Sequence, residues 1–464
     1  MDSRRQDRRK EDKKINFRNR RRFDRRMDIE EFKKIIFASK KDTPPGKKRI
    51  VITGIGVVAP NGIGKDQFWN NLANGVSGIK PIILFDTDPY QSKLAGEIRD
   101  FNPAQYLGRK GLRTLDRSTL LLAVATKLAM EDGQVEMNDA NTYQTGIVTG
   151  TSMGSVKSIS EFDKISLSEG PSFVNPAHFP NTVINSPSSH VSIIFDIRGI
   201  NTTVTSGFCS SLDAALYAYD SIMLNRANII FTGGVEELSH HIFLGFYKPG
   251  CLAGSGADKN EIEQSMPFDK RRNGMVLGEG SSVLVFEDLG NARRRGAKIY
   301  GEVLGFARAF DPDNKGDYSS ESNNSESKGA ISAMNEALNV ANLEADDIDL
   351  ICSCANASPS GDKSETFALK KVFAKRAYDI PVTAIKSMIG EGYGVSGTFQ
   401  IIAALLAINK GIIPPTINYE EADPDCDLDC VPNMYRESDV TKVMVNSFSP
   451  HGNNTSLIIG KFLE

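Results

Sequence analysis

No apolar run in this sequence approaches the roughly 20 residues needed to cross a bilayer, and none follows the basic N-terminal stretch as the hydrophobic part of a secretion signal would. Neither a membrane span nor export is expected, so the chain is expected to remain cytoplasmic. Cysteine is sparse, six in 464 residues. In a chain of this size with no export signal, that count does not make a disulfide framework. Zinc ligands usually come as two close pairs with Cys-x-x-Cys-like spacing, whereas the close spacings here are Cys352-Ser-Cys354 and Cys426-Asp-Leu-Asp-Cys430. No metal site and no cofactor is expected. Histidine is scarcer still, at five residues.

What is present is ordinary globular composition, 40% apolar and 24% charged, on a chain long enough for two core-bearing units. The net charge of -3 hides an asymmetry: residues 1–48 hold 19 Lys and Arg against 9 Asp and Glu, so this tail carries +10 and the remainder -13. The tail shows almost no apolar periodicity before Ile29, Phe32, Ile35, Ile36 and Phe37, and cannot make a core of its own. It reads either as a flexible solvated leader or as an electrostatic tether to an anionic lipid surface, nucleic acid or acidic protein.

From residue 49 the pattern alternates strands with amphipathic helices. Strands are expected at 49–53, 145–149, 229–232, 350–353, 381–384, 442–446 and 455–459, with helices at 67–74, 119–132, 212–224, 329–342, 364–374 and 395–409. This predicts an α/β protein of two βαβ-rich halves, 49–297 and 298–464. The polar run 311–327 is expected to be a loop inside the second half.

Three motifs compete for the chemistry. Gly54-x-Gly56-x-x-Ala59 follows a strand as a dinucleotide fingerprint should, but Pro60-Asn61-Gly62 interrupts the place of the phosphate-binding helix. Gly150-Thr-Ser152-Met-Gly154 has the form of a serine-hydrolase nucleophile elbow, with an Asp from 423–429 and His451 in suitable chain order; the plain alternative is a tight turn. Cys209 lies in a small-residue turn between an apolar run at 200–205 and a helical pattern. There, helix N–H groups and the dipole can stabilise a thiolate; the plain alternative is a buried small hydrophobe.

Several long segments point one way. The stretches RIVITGIGVVAPNGIG (49–64), GFCSSLDAAL (207–216), FDKRRNGMVLGEG (268–280), SPSGDKSE (358–365), KSMIGE (386–391), IPPTIN (413–418) and NSF (446–448) together resemble the elongating β-ketoacyl-[acyl-carrier-protein] synthases. The resemblance implies the thiolase fold, two related halves in a five-layered αβαβα sandwich, usually dimeric. It also implies loading of acyl groups from acyl carrier protein onto Cys209 and their extension with malonyl units.

Carried over position by position, the family's lysine falls on Lys386. Its two histidines, which assist malonyl decarboxylation, fall on Cys354 and Glu391, and the aromatic gate of its C-terminal Gly-rich loop falls on Pro450. The glutamate expected to pair with the lysine falls on Gln400. Impaired malonyl decarboxylation is therefore expected, with Glu391 serving as a general base or as the charge partner of Lys386. Cys354 reads as a second thiol or a pocket filler, and His451 as an assisting imidazole or a solvated loop residue. Asn356 and Ser358 take the places of the threonines that hold the pantetheine arm, Phe246 is expected to line the acyl pocket, and Lys110, Arg113 and Lys248 fall where the family faces its acidic carrier. A competing reading is a non-catalytic subunit paired with an active ketosynthase homologue as a heterodimer, rather than an enzyme pairing with itself as a homodimer.

Overall fold

The computed structural model describes residues 48–256, 262–313 and 327–464. The basic tail before Lys48 and most of the expected polar loop, from 314 to 326, lie outside the described residues.

Ten strands build the framework: β1 Ile50–Ala59, β2 Thr145–Gly150, β3 Asn201–Val204, β4 Ile229–Glu236, β5 Gly280–Asp288, β6 Gly301–Phe310, β7 Leu350–Cys352, β8 Val382–Thr383, β9 Lys442–Phe448 and β10 Asn453–Gly460. The first five hydrogen-bond in the order β3-β2-β4-β5-β1, the last five in the order β8-β7-β9-β10-β6. Each set thus follows the same plan of third, second, fourth, fifth and first strand. The directions repeat as well: β2 is parallel to β3 and β4, and β7 to β8 and β9, while the remaining neighbours in each set are antiparallel. A short antiparallel contact, Val51 opposite Glu302 and Ile52 opposite Gly301, joins the sets through β1 and β6.

Six helices matter for the site: α1 Arg117–Asp132, α2 Ser210–Met223, α3 Lys328–Ala341, α4 Pro359–Phe373, α5 Lys386–Ile389 and α6 Ser396–Lys410. α2 and α6 form the middle layer and share one apolar core, with Leu212, Ala215 and Ile222 on one and Phe399, Ile402 and Leu405 on the other. Residues Ser396–Ile408 are buried on every side of α6, as a helix held between two sheets must be. α1 packs outside against β1 and β5, and α3 against β6 and β10. These are the five layers, and the fold is the expected α/β thiolase arrangement. No helix among the described residues is long and apolar enough to cross a membrane.

Two sequence expectations change. The strand expected at 49–53 runs on through the glycines of the fingerprint to Ala59 as β1, where a Cβ at Gly56 would stand 1.9 Å from the Ala125 carbonyl oxygen. Gly56 is there for the close approach of α1, which removes the phosphate loop of the dinucleotide reading. α4 begins at Pro359 rather than 364; proline at the first helical position needs no N–H partner, so the helix starts on it.

Candidate active site

The N-terminal ends of the two middle-layer helices meet, the Thr398 amide of α6 donating to Ser211 Oγ of α2 at 3.2 Å. Cys209 caps α2, and Glu391 lies just before the turn that opens into α6. The fold thus brings together two helix starts nearly two hundred positions apart.

Cys209 is fully buried. Its thiol donates to the carbonyls of Ser447 at 3.0 Å and Asn453 at 3.3 Å, which belong to the two strands of the β9–β10 hairpin. Burial, followed by the charge of Asp213, pushes the thiol up to about 12, against donors at Thr455, Ser447 and Ser449. A helix end was expected to favour the thiolate. In this structure two carbonyl oxygens and desolvation outweigh it, and the sulphur is a neutral donor. The hairpin turn offers little to an oxyanion: the Ser449 amide is donated to the Asn453 carbonyl at 2.8 Å, and Pro450 has no N–H.

Glu391 and Lys386 form a buried ion pair at 2.7 Å. Glu391 Oε2 also accepts from Asn356 Nδ2 at 2.8 Å, and Oε1 accepts from Ser396 Oγ at 2.7 Å and from the Tyr393 amide at 2.9 Å. The carboxylate thus receives four donors, filling its usual capacity. Burial acts against the charge on Lys386, but Glu391, together with Cys354 and Glu365, outweighs it and raises the lysine above its ordinary value. Lys386 Nζ donates further to the Cys354 carbonyl at 2.8 Å.

The Cys354 thiol donates to Glu365 Oε2 at 3.2 Å and meets the backbone of Phe448, next to the Ser447 that holds Cys209. Burial first, and then Glu365, raise this thiol well above its usual range. Both cysteines are free. A continuous set of contacts therefore runs from Cys209 through Ser447 and Phe448 to Cys354, Lys386 and Glu391.

Asn356 and Ser358 are buried. The Asn356 amide is committed to Glu391, and its Oδ1 accepts the Ser358 amide at 3.1 Å, so this pair belongs to the charged cluster in this structure. Gln400 does not replace a lysine partner; its Nε2 donates to the carbonyls of Cys352, Ser353 and Asn446. Phe246 stacks on Tyr393 at 5.0 Å. His451 is exposed in the hairpin turn, and Lys110, Arg113 and Lys248 are exposed. Ser152 Oγ donates to the Gly207 carbonyl at 2.5 Å, and Asp423 pairs with Arg272. These contacts do not assemble a serine triad. A cleft of about 340 Å3 lined by Arg117, Lys157, Phe162, His178 and Glu237 includes none of the expected site residues.

Sequence reasoning missed Glu365, which is buried and accepts from Ser353 Oγ at 2.6 Å and the Cys354 amide at 3.1 Å. Its signal was two acids three apart, Asp362 and Glu365, on the buried face of α4. Asp362 accepts the Asn356 and Phe268 amides at 3.0 and 2.8 Å, and burial pushes its carboxyl up to about 6 against the pull of Arg272. The FDKRR segment thus braces the charged cluster from behind.

Residues 47–292 match the family model for the β-ketoacyl synthase N-terminal domain and residues 300–420 that for its C-terminal domain. The chain belongs to the β-ketoacyl synthase family. It is 34% identical to 3-oxoacyl-[acyl-carrier-protein] synthase 2 of Coxiella burnetii, over 90% of this chain and all of that protein. It is 37% identical to the tetracenomycin polyketide synthase ketoacyl synthase alpha subunit of Streptomyces glaucescens, over 87% of this chain and 94% of the relative. The solved ishigamide ketosynthase/chain length factor superposes with a TM-score of 0.81 at 31% identity, covering 90% of this chain and 100% of that one. Against this family background, the positions that the resemblance assigns to histidines hold a thiol bonded to Glu365 and a carboxylate bonded to Lys386.

Proposed function

We propose that this chain is a ketosynthase-family acyltransferase that accepts an acyl group from an acyl-carrier-protein thioester on Cys209 and is impaired in malonyl decarboxylation. The observation that carries the reading is Glu391 with four donors on its carboxylate, one of them Lys386. A carboxylate so engaged has no acceptor position left for a substrate α-proton, which favours the charge-partner role over the general base. Nor does it donate to the malonyl thioester carbonyl, as an imidazole would. Losing one such donor typically raises the barrier by about 3 kcal/mol, more than a hundredfold in rate.

In the loading step Cys209 Sγ forms a bond to the acyl carbonyl carbon and the carrier's pantetheine sulphur leaves. The proton of the Cys209 thiol ends on the released pantetheine thiol. The raised thiol means this proton must leave during attack, so loading is expected to be slow and to accelerate with pH. Exposed Lys110, Arg113 and Lys248 offer positive charge to an acidic carrier protein.

A second reading, a non-catalytic subunit paired with a histidine-containing homologue, draws support from the same thiol, pinned to two carbonyls. Intact mass spectrometry after incubation with acyl-carrier-protein thioester separates the two. Acyl mass on the wild type and none on Cys209→Ala is the expected result. Malonyl carrier protein should release carbon dioxide at a low rate that rises at least tenfold in C354H/E391H. An unacylated wild type purified with such a homologue would favour the subunit reading, and brisk wild-type decarboxylation would refute the impairment.

A further inference from the structure

Tyr393 is one of the largest fully buried side chains among the described residues, and it lies two positions after Glu391. Its amide is held by Glu391 at 2.9 Å, while its ring stacks on Phe246 at 5.0 Å with 10° between planes and meets Phe208 at 5.9 Å. Phe208 is the residue before Cys209, and Phe208 and Phe246 are themselves 6.5 Å apart. The three rings join the apolar cluster of Phe243, Leu238, Leu252 and Leu277. An acyl chain bonded to Cys209 and directed past Phe208 would meet these rings.

Two features mark Tyr393 as more than filler. Its backbone stands at φ 46°, in the left-handed region that bulky residues avoid at a cost. Its hydroxyl is buried and, among the described residues, has no hydrogen-bond partner. Buried phenols nearly always find one, so the group is left ready for a partner that comes with a ligand. A phenylalanine would fill the same space without that unmet donor.

We propose that Tyr393 determines acyl specificity, its ring blocking the path of long chains carried on Cys209 and its hydroxyl selecting short acyl groups whose β-carbon bears an oxygen. This rests on the acyltransferase reading above and names its substrate class: short 3-oxoacyl or 3-hydroxyacyl thioesters, with the Tyr393 hydroxyl donating to the β-oxygen. Size exclusion comes from the ring and polarity selection from the hydroxyl, so separate substitutions resolve them.

The test uses butanoyl-, 3-oxobutanoyl- and dodecanoyl-pantetheine, with the rate of acyl-mass gain on Cys209 as readout. Wild type should load 3-oxobutanoyl faster than butanoyl by about fivefold, the worth of one hydrogen bond, and dodecanoyl hardly at all. Tyr393→Phe should erase the first preference while still excluding dodecanoyl; Tyr393→Leu should admit dodecanoyl. Calorimetric binding of the same thioesters to Cys209→Ala, alone and combined with each Tyr393 substitution, reads the pocket without the transfer step. Complete lack of acylation would therefore sink the acyltransferase reading while this binding series still decides the pocket. Equal binding of all three thioesters by Cys209→Ala, or a profile unmoved by Tyr393→Leu, would overturn the role of Tyr393.

Discussion

At Lys386 and Glu391 the energetics are dominated by desolvation. Two charges with almost no solvent access lose several kcal/mol of hydration each, and only their 2.7 Å contact and the surrounding donors restore it. Removing one partner strands the other. Lys386→Met is expected to lower the unfolding free energy by about 3–5 kcal/mol, measured by urea titration, and adding Glu391→Leu should recover much of that loss. If the double variant is no more stable than the single, the pair is not coupled as described. That Lys386 has an acidic partner was an expectation of the resemblance, which offered Glu391 for the pairing in place of Gln400. The fourfold satisfaction of that acid was not, because Asn356, Ser396 and Tyr393 converge on it only through folding.

Among the elements, the short helix α5 and the turn after it decide where Glu391 points. Gly390 adopts φ 76°, and a Cβ there would stand 2.7 Å from the Leu277 carbonyl oxygen, a backbone atom that cannot swing aside. Gly390→Ala should therefore cost about 1–3 kcal/mol and shift Glu391 relative to Lys386. Differential scanning calorimetry checks the first effect, and an unchanged melting temperature would count against the strained turn. The middle helices were well marked in the sequence, since α2 and α6 follow long apolar patterns. The length of β1 was not, because glycine signals a turn in a sequence yet serves here to let α1 approach.

Over the whole molecule, buried acids set how stability depends on pH. Burial holds Glu236 and Glu237 up to about 8, and neither oxygen of Glu237 has a hydrogen-bond partner among the described residues. A carboxyl with a folded pKa above its unfolded value binds its proton more tightly when folded, so stability falls as pH rises from about 4 through 8. Asp269 acts in the opposite sense. Its burial is outweighed by Arg271 and the amides of Glu421 and Glu420, which hold it down to about 2, so its contribution is present above pH 4 and lost as pH falls toward 2. Melting temperature should therefore peak between these windows. Glu237→Gln should raise it at pH 9, by about 1 °C per kcal/mol recovered in a chain of this length, and leave it unchanged at pH 5; an equal shift at both values would contradict this account.

The sequence alone determined the family, the two-part α/β plan and the position of Cys209 at a helix start, because each is written in local pattern or in long ordered motifs, and its resemblance singled out Cys354 and Glu391 as positions to examine. Only the tertiary structure decided the surroundings of Cys209, Cys354 and Glu391. Whether a thiol ionises depends on burial and facing carbonyls, and whether a carboxylate is a base depends on how many donors already hold it. The donors to Glu391 come from the loop before α4, from α5 and from the turn and first residue of α6, and the carbonyls facing Cys209 from β9 and β10, segments spread along the chain.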